Sequence, residues 1–308
     1  MKPVRICFIG SSNLGKSTLE WLSDPKCELE INLVGVVGRV KLPNADDSCD
    51  IIEAGECPKL GISHFYWNHR SQTPDFEQQL RNWKPDLGLC IGWNQMIPES
   101  IFSIPRFGFL GYHPTLLPSN RGRHPIIWTI ALGLQQTGSS FFRMNEFADE
   151  GLVISQRQFA LDPRETATTL YRKLEKCVPD QLREIISESR YLPSFPGISP
   201  GGPASSWRRR ARTEGTIDWR MAATEIDALV RSLTWPYSGA VCREPGREQD
   251  SVVRRTDVWE GTVPEGVEPG RVLEVGSQEI LVACGSRSAV WLRDHDLNLR
   301  YKVGDYLV

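Results

Sequence analysis

Residues 4–22 read VRICFIGSSNLGKSTLEWL, and this stretch decides the fold. Val4 to Ile9 is a compact apolar run that stops at Gly10, and an amphipathic stretch from Leu14 to Leu22 follows. A short apolar run, a glycine and then a helical periodicity spell a strand, a tight turn and a helix. Outward from there the alternation recurs. Leu33 to Val37 reads as a second buried strand, residues 39 to 49 as a polar loop, Phe76 to Trp83 as a helix and Asp86 to Ile91 as a third strand. Phe107 to Tyr112 is the next strand, followed by a helix over 124–133 and strands over Ser139 to Met144 and Val153 to Phe159. Strands that alternate with helices predict an α/β fold whose parallel sheet is covered on both faces.

Thr166 reads as the N-cap of a long helical segment carrying Leu170, Leu174 and Val178, with a break or kink at Pro179, where a backbone donor is lost. Residues 188–206 are dense in Pro, Gly and Ser, the composition of a linker or wrapping loop. Beyond it the pattern changes. Ile226, Leu229, Val230 and Leu233 give one amphipathic helix, and short strands recur over Arg271 to Val275, Glu279 to Cys284 and Ala289 to Arg293. A small β-barrel with one helix accommodates that pattern. The expected organisation is a first domain over 1–190, a linker over 191–206 and a second domain over 207–308.

The chain has 308 residues, enough for two buried cores, and a formal net charge of −2. That balance offers no global excess of Lys and Arg to hold a polyanion, so any nucleic-acid role needs a local patch. Eight cysteines are scattered without a Cys-x-x-Cys pair or a neighbouring His cluster, which indicates neither a zinc site nor a disulfide framework. They read as reduced thiols of a soluble, cytoplasmic protein. No run of about 18 apolar residues suggests a membrane span.

Two segments compete as carriers of chemistry. Gly10 to Ser17, GSSNLGKS, fits the P-loop pattern GxxxxGK[ST] and sits between a strand and a helix. A working P-loop also needs a magnesium carboxylate at the end of another apolar strand, and the strands ending near Val37 and Ile91 run into Gly-Arg and Gly-Trp instead. The alternative is a tight turn whose amides meet a substrate phosphate at a helix N-terminus. Residues 108–128, GFLGYHPTLLPSNRGRHPIIW, are more distinctive: His113 leaves a strand end and enters a proline-stiffened loop with Arg121 and Arg123 on either side of Gly122. Strand ends are where open α/β sheets hold ligands. Asp149 lies downstream in a predicted turn, FADEG, between two strands.

These residues resemble the folate-dependent formyltransferases, whose motif runs roughly Asn-x-His-x-Ser-Leu-Leu-Pro-x-x-Arg-Gly-x-x-Pro, then Thr-Gly, then Gly-x-Asp-x-Gly. The matching parts are His113, Thr115 to Pro118, Arg121, Gly122, Pro125, Thr137, Gly138, Asp149 and Gly151. The C-terminal part, with Gly215 to Trp219 and then Trp235 and Pro236, is similar to the OB-like domain of methionyl-tRNA and sugar-nucleotide formyltransferases. The loop variant resembles most the enzymes that formylate amino sugars of bacterial surface glycans. The resemblance implies a Rossmann-like, mostly parallel catalytic domain followed by an OB-like small β-barrel. It implies formyl transfer from 10-formyltetrahydrofolate to a primary amine, with a small-molecule amino-sugar partner, no metal, and room for a homodimer. It also implies site roles: His113, Asp149 and Asn94 as catalytic; Trp93, Ile97, Pro114, Leu116, Arg121, Gly122 and Asp149 toward the folate; Gly10, Ser11, Ser12, Asn13, Tyr112, Thr115 and Arg123 toward the substrate.

The chemistry suits these side chains. An amine attacks the formyl carbon, negative charge grows on its oxygen, and a proton leaves the nitrogen. Histidine titrates near neutrality and serves as base or, once charged, as electrostatic partner; Asp149 would orient it. One departure stands out. The family's Asn two residues before the His falls at Gly111. Asn94, a backbone N–H near Gly111, or no donor at all in a weak or silent relative are the three ways to read that. Methionyl-tRNA formylation remains the second function, and the basic run Trp207 to Arg212 reads either as a solvated linker end or as a contact to the first domain.

Overall fold

The computed structural model describes residues 2–41, 49–189, 197–297 and 300–308. The polar loop expected over 39–49 and the linker expected over 191–206 therefore lie partly outside the described residues. The elements are β1 (Val4–Ile9), α1 (Asn13–Ser23), β2 (Ile31–Gly38), α2 (Ile51–Ala54), β3 (His64–Tyr66), α3 (Thr73–Trp83), β4 (Leu87–Cys90), α4 (Glu99–Phe102), β5 (Phe109–His113), β6 (Arg121–Gly122), α5 (Pro125–Ala131), β7 (Gln136–Arg143), β8 (Val153–Ala160) and α6 (Ala167–Ser189). After them come β9 (Ser206–Trp207), α7 (Ala223–Ser232), β10 (Ala240–Cys242), β11 (Ser251–Val258), β12 (Val272–Val275), β13 (Ile280–Cys284) and β14 (Ser288–His295). By backbone proximity the chain forms two compact units: Met1–Pro125, Gln136–Phe159 and Tyr171–Trp207 in one; Ile126–Gln135, Ala160–Leu170 and Arg208–Val308 in the other.

The first unit carries a seven-stranded sheet in the order β3-β2-β1-β4-β5-β7-β8. From β3 to β5 the pairs are parallel, and β7 joins β5 antiparallel. The sheet is thus mostly parallel, as expected. Ile6, Phe8, Ile9, Leu87 and Leu89 are fully buried, which accounts for near-continuous apolar runs in place of alternation. The order reverses direction at β1, with β2 on one side and β4 on the other, so the carboxyl ends of β1 and β4 mark the switch point at which open α/β sheets hold ligands.

Of the break or kink expected at Pro179, the helix shows no break: it runs from Ala167 to Ser189 with the proline inside it. Leu174, Val178, Leu182 and Ile186 are fully buried on both sides of the proline. Burying four such side chains stabilises by about 6 kcal/mol or more, which outweighs the ~3 kcal/mol a helical proline costs. At its start Thr166 Oγ1 accepts from the Thr169 N–H at 3.1 Å, the expected cap.

The second unit is built on a five-stranded antiparallel sheet in the order β10-β11-β14-β13-β12. Ile226, Leu229 and Val230 of α7 share a core with Val253, Val272, Ile280, Val282, Val290 and Leu292. Within this unit the Arg208 and Arg210 guanidinium groups lie over the Trp128 ring, at 5.2 and 5.7 Å from its centroid, and Arg208 pairs with Glu214.

Candidate active site

Strand alternation places Gly111 and His113 on one face of β5 and Tyr112 on the other. The Tyr112 hydroxyl lies 2.9 Å from Ser139 Oγ, which donates to Gln181 Oε1 on α6 at 2.6 Å, and burial pushes its pKa well up. Tyr112 is thereby committed to the sheet–helix layer on the far side from His113.

His113 is 4 % exposed. Its Nε2 is 2.8 Å from the Asn120 carbonyl, and its Nδ1 is 3.6 Å from Asp149 Oδ2. A carbonyl only accepts, so Nε2 carries the hydrogen and the neutral ring keeps its lone pair on Nδ1. That lone pair faces a carboxylate. A proton delivered to Nδ1 would sit beside the Asp149 carboxylate, the arrangement a general base can use. Asp149 is itself held. It takes a left-handed φ of 58° in the turn between β7 and β8, and its Oδ2 accepts from the Gly122 N–H at 2.9 Å.

The loop between them is tightly bonded. Thr115 is fully buried and donates to the Ser119 carbonyl at 3.0 Å, while Leu116 lies over Gly138, where a Cβ would meet it at 2.4 Å. Pro114 and Leu116 are half-buried. Arg121 pairs with Glu150 at 2.8 Å. Arg123 donates to the Asn94 carbonyl at 2.6 Å, and Arg39 donates to Asn94 Oδ1 at 3.1 Å. Two guanidinium groups thus converge on the segment that follows β4. With Oδ1 taken by Arg39, the Nδ2 hydrogens are the donors that the Asn94 side chain has to offer. Trp93 stacks on Trp67 at 5.7 Å, and Ile97 is buried in the same apolar cluster. The structure therefore ties Arg123 to Asn94, and Gly122 to Asp149 and His113, through neighbouring positions of one loop.

The first turn behaves differently. Only Gly10, Ser11 and Ser12 separate β1 from α1. A Cβ at either Gly10 or Gly15 would sit 2.7 Å from the Ile91 carbonyl, so both glycines admit the backbone that follows β4. Ser11 Oγ donates to the Gly92 carbonyl at 3.1 Å, and Ser12 Oγ accepts from the Gly15 N–H at 3.2 Å. Lys16 pairs with Glu20 at 2.6 Å along the helix. The P-loop letters spell a packing turn filled by the neighbouring chain. Asn13, at the helix start, is half-buried.

Three contributors escape a reading by motif. Asn120 enters through its backbone carbonyl, which carries no side-chain signal. Phe142, opposite Gly111 on β7, fills the space beside it. Cys90, paired with Gly111 across β4 and β5, has its thiol pushed up to about 12 by burial and by the nearby Asp149 charge. A raised thiol pKa keeps the neutral form, so native Cys90 is expected to resist iodoacetamide at about pH 8 and to react once urea unfolds the chain. Peptide mass mapping that finds native Cys90 alkylated would contradict this burial. Among the described residues no group of three or more His, Cys, Asp or Glu side chains is arranged to hold a metal ion, and no helix is long and apolar enough to cross a membrane.

Two family descriptions match the chain: "Formyl transferase" over residues 4–186 and "Formyl transferase, C-terminal domain" over residues 211–302. A methionyl-tRNA formyltransferase of Myxococcus xanthus is 32% identical over 223 residues, covering 72% of this chain and 69% of that protein. One from Nitrosomonas eutropha is 30% identical over 222 residues, covering 70% of this chain, and the match spans 66% of its length. Among solved structures, WlaRD, a sugar 3N-formyl transferase crystallised with dTDP and 5-N-formyl-THF, shares the fold at a TM-score of 0.64 and 14% identity, covering 94% of this chain and 97% of its own.

Proposed function

The chain belongs to the formyl transferase family, and we propose that this folate-dependent N-formyltransferase passes the formyl group of 10-formyltetrahydrofolate to a primary amine of a nucleotide-linked amino sugar, for surface-glycan synthesis. The observation that carries the choice of acceptor is charge. Residues 201–308 hold 15 Lys and Arg against 16 Asp and Glu, a net charge of −1. A domain that grips tRNA needs a clear positive excess, because phosphate neutralisation supplies most of such binding. A second reading, methionyl-tRNA formylation, is favoured by the names of the sequence relatives.

The donor supplies an activated formyl carbon. Half-buried Trp93 and the partly open Pro114 and Leu116 are the apolar side chains proposed to meet the flat pterin ring. Ile97 packs in the same apolar cluster as Trp93, and Arg121 with Gly122 is partly open toward the donor in this reading. His113 Nδ1 takes the proton from the attacking amine and would return it to the departing folate nitrogen as the donor's formyl C–N bond breaks. Asp149 stabilises the resulting imidazolium, and Asn94 Nδ2 donates to the formyl oxygen as charge grows there. On the acceptor side Asn13 and Arg123 are partly open, whereas Ser11, Ser12 and Thr115 are buried in bonds of their own. The eight free cysteines and the folate donor fit a cytoplasmic setting.

The test is incubation with 10-formyltetrahydrofolate, a panel of amino-sugar nucleotides and, separately, methionyl-tRNA, with product mass as the readout. A formylated sugar nucleotide is expected, with charged tRNA left unmodified. Salt-sensitive formylation of the tRNA, with every sugar untouched, would establish the second reading. Turnover on no amine would mark a silent relative.

A further inference from the structure

The segment Pro203 to Trp207 lies more than eighty positions beyond the His113 loop in sequence, yet it is bonded along its length to that loop. Ser205 N–H donates to the Pro118 carbonyl at 3.3 Å, and Arg123 N–H donates to the Trp207 carbonyl at 3.1 Å. β6 and β9 pair in parallel between these points, Arg121 against Ser206 and Gly122 against Trp207. A Cβ at Gly122 would sit 2.3 Å from the Trp207 carbonyl, so the two backbones touch there. At the centre stands Asn120, with a left-handed φ of 62°. Both N–H groups that flank its α-carbon end on Ser205: Asn120 N–H donates to Ser205 Oγ at 2.8 Å, and Arg121 N–H donates to the Ser205 carbonyl at 2.9 Å. Ser205 Oγ in turn donates to Asn120 Oδ1 at 3.2 Å.

One peptide plane is therefore held from both sides. Its N–H, from Arg121, is fixed by Ser205, and its carbonyl, from Asn120, receives the Nε2 hydrogen of His113 at 2.8 Å. Because the N–H is already bonded, the carbonyl is polarised into a better acceptor. That carbonyl decides which ring nitrogen carries the hydrogen, and so which nitrogen is left as base.

We infer that Ser205 is a positioning residue: its backbone carbonyl bond to the Arg121 N–H is common to any residue there, but its hydroxyl, bonded to the Asn120 N–H and Oδ1, fixes the left-handed Asn120 whose carbonyl holds neutral His113 in the Nε2–H form, with the Nδ1 lone pair toward Asp149. The inference rests on His113 being the base of the proposed reaction. Ser205 is exposed, so shortening it to Ala opens no cavity.

The test combines the tautomer state of His113, read from ¹⁵N shifts of the neutral ring, with the pH profile of kcat. For Ser205→Ala we expect a share of Nδ1–H tautomer absent from the wild type, a shifted acidic limb, and kcat lower by about three- to tenfold with KM little changed, the scale of one lost hydrogen bond. Ser205→Thr keeps the hydroxyl and restores the wild-type tautomer and profile. A Ser205→Ala protein whose tautomer and pH profile match the wild type overturns the inference, whatever its melting temperature does. Full turnover in His113→Ala would instead strike the assignment of the base, so the two failures are distinct.

Discussion

With His113 replaced by Ala, kcat/KM for formyl transfer is expected to fall by about a hundredfold to ten-thousandfold, the range a positioned general base supplies. The protein should stay folded. The side chain is buried, but its hydrogen bond runs to the Asn120 backbone carbonyl, whose peptide Ser205 holds from the other side, so the loop keeps most of its ties. Asp149→Asn tests the other half of the pair. The amide keeps the shape and can still accept from the Gly122 N–H, yet it lacks the charge that stabilises a proton on Nδ1 at 3.6 Å. A separation of that length is too long for a hydrogen bond, so the partnership is one of charge until the proton arrives. Asp149→Asn is therefore expected to cost about a hundredfold or more in kcat, with less effect on KM, because a transition-state interaction is lost. Undiminished turnover in either variant, with the far-ultraviolet dichroism of the wild type, would overturn the mechanism.

How much of this was legible in sequence depended on whether a feature is written in side chains. Val4 to Ile9, Asp86 to Ile91 and the delivery of His113 at a strand end are side-chain patterns, and they stand in the structure nearly as read, as β1, β4 and the end of β5. β11 was missed. Its register shifts twice, between Val253 and Arg255 and between Arg255 and Thr256, so inward residues do not alternate simply and the period-two signal is lost. Pro179 reads locally as a break or kink, and the burial on either side of it, which keeps the helix continuous, is not visible to local propensity. The P-loop letters fit both a phosphate loop and a tight turn, because glycines that admit the Ile91 carbonyl and glycines that admit a phosphate look alike in one dimension. The Asn120 carbonyl is a backbone group, and the Ser205 hydroxyl meets the Asn120 N–H across 85 positions, a pairing for which the sequence around either residue gives no signal.

Restoring the family's amide by Gly111→Asn is expected to damage the protein rather than improve it. A glycine within a strand ordinarily costs about 0.5–1 kcal/mol relative to Ala, so a side chain there would usually stabilise. Here the ring of Phe142, on the antiparallel neighbour β7, lies directly over the α-carbon. A Cβ at position 111 would stand 2.5, 2.9 and 2.9 Å from three of its ring carbons, and Phe142 is 5 % exposed, with little freedom to withdraw. Overpacking of this kind costs about 1–3 kcal/mol and wins over the backbone gain. A strand that shifts to relieve it carries His113 two residues on, so kcat should fall together with the melting temperature. Phe142→Ala removes the obstruction at its own cost of about 3–5 kcal/mol. In the double variant Gly111→Asn should then be nearly neutral, a coupling of about 1–3 kcal/mol in a double-mutant cycle of urea unfolding. Strict additivity would show that the ring is not what excludes the side chain. The activity of that double variant carries the second half of the argument. If its kcat exceeds that of Phe142→Ala alone, an amide at 111 can serve the developing charge, and the wild type does without it only because Phe142 occupies the space. If kcat is unchanged, the donor already sits elsewhere, and Asn94, held by Arg39 and Arg123, is the side chain placed to supply it.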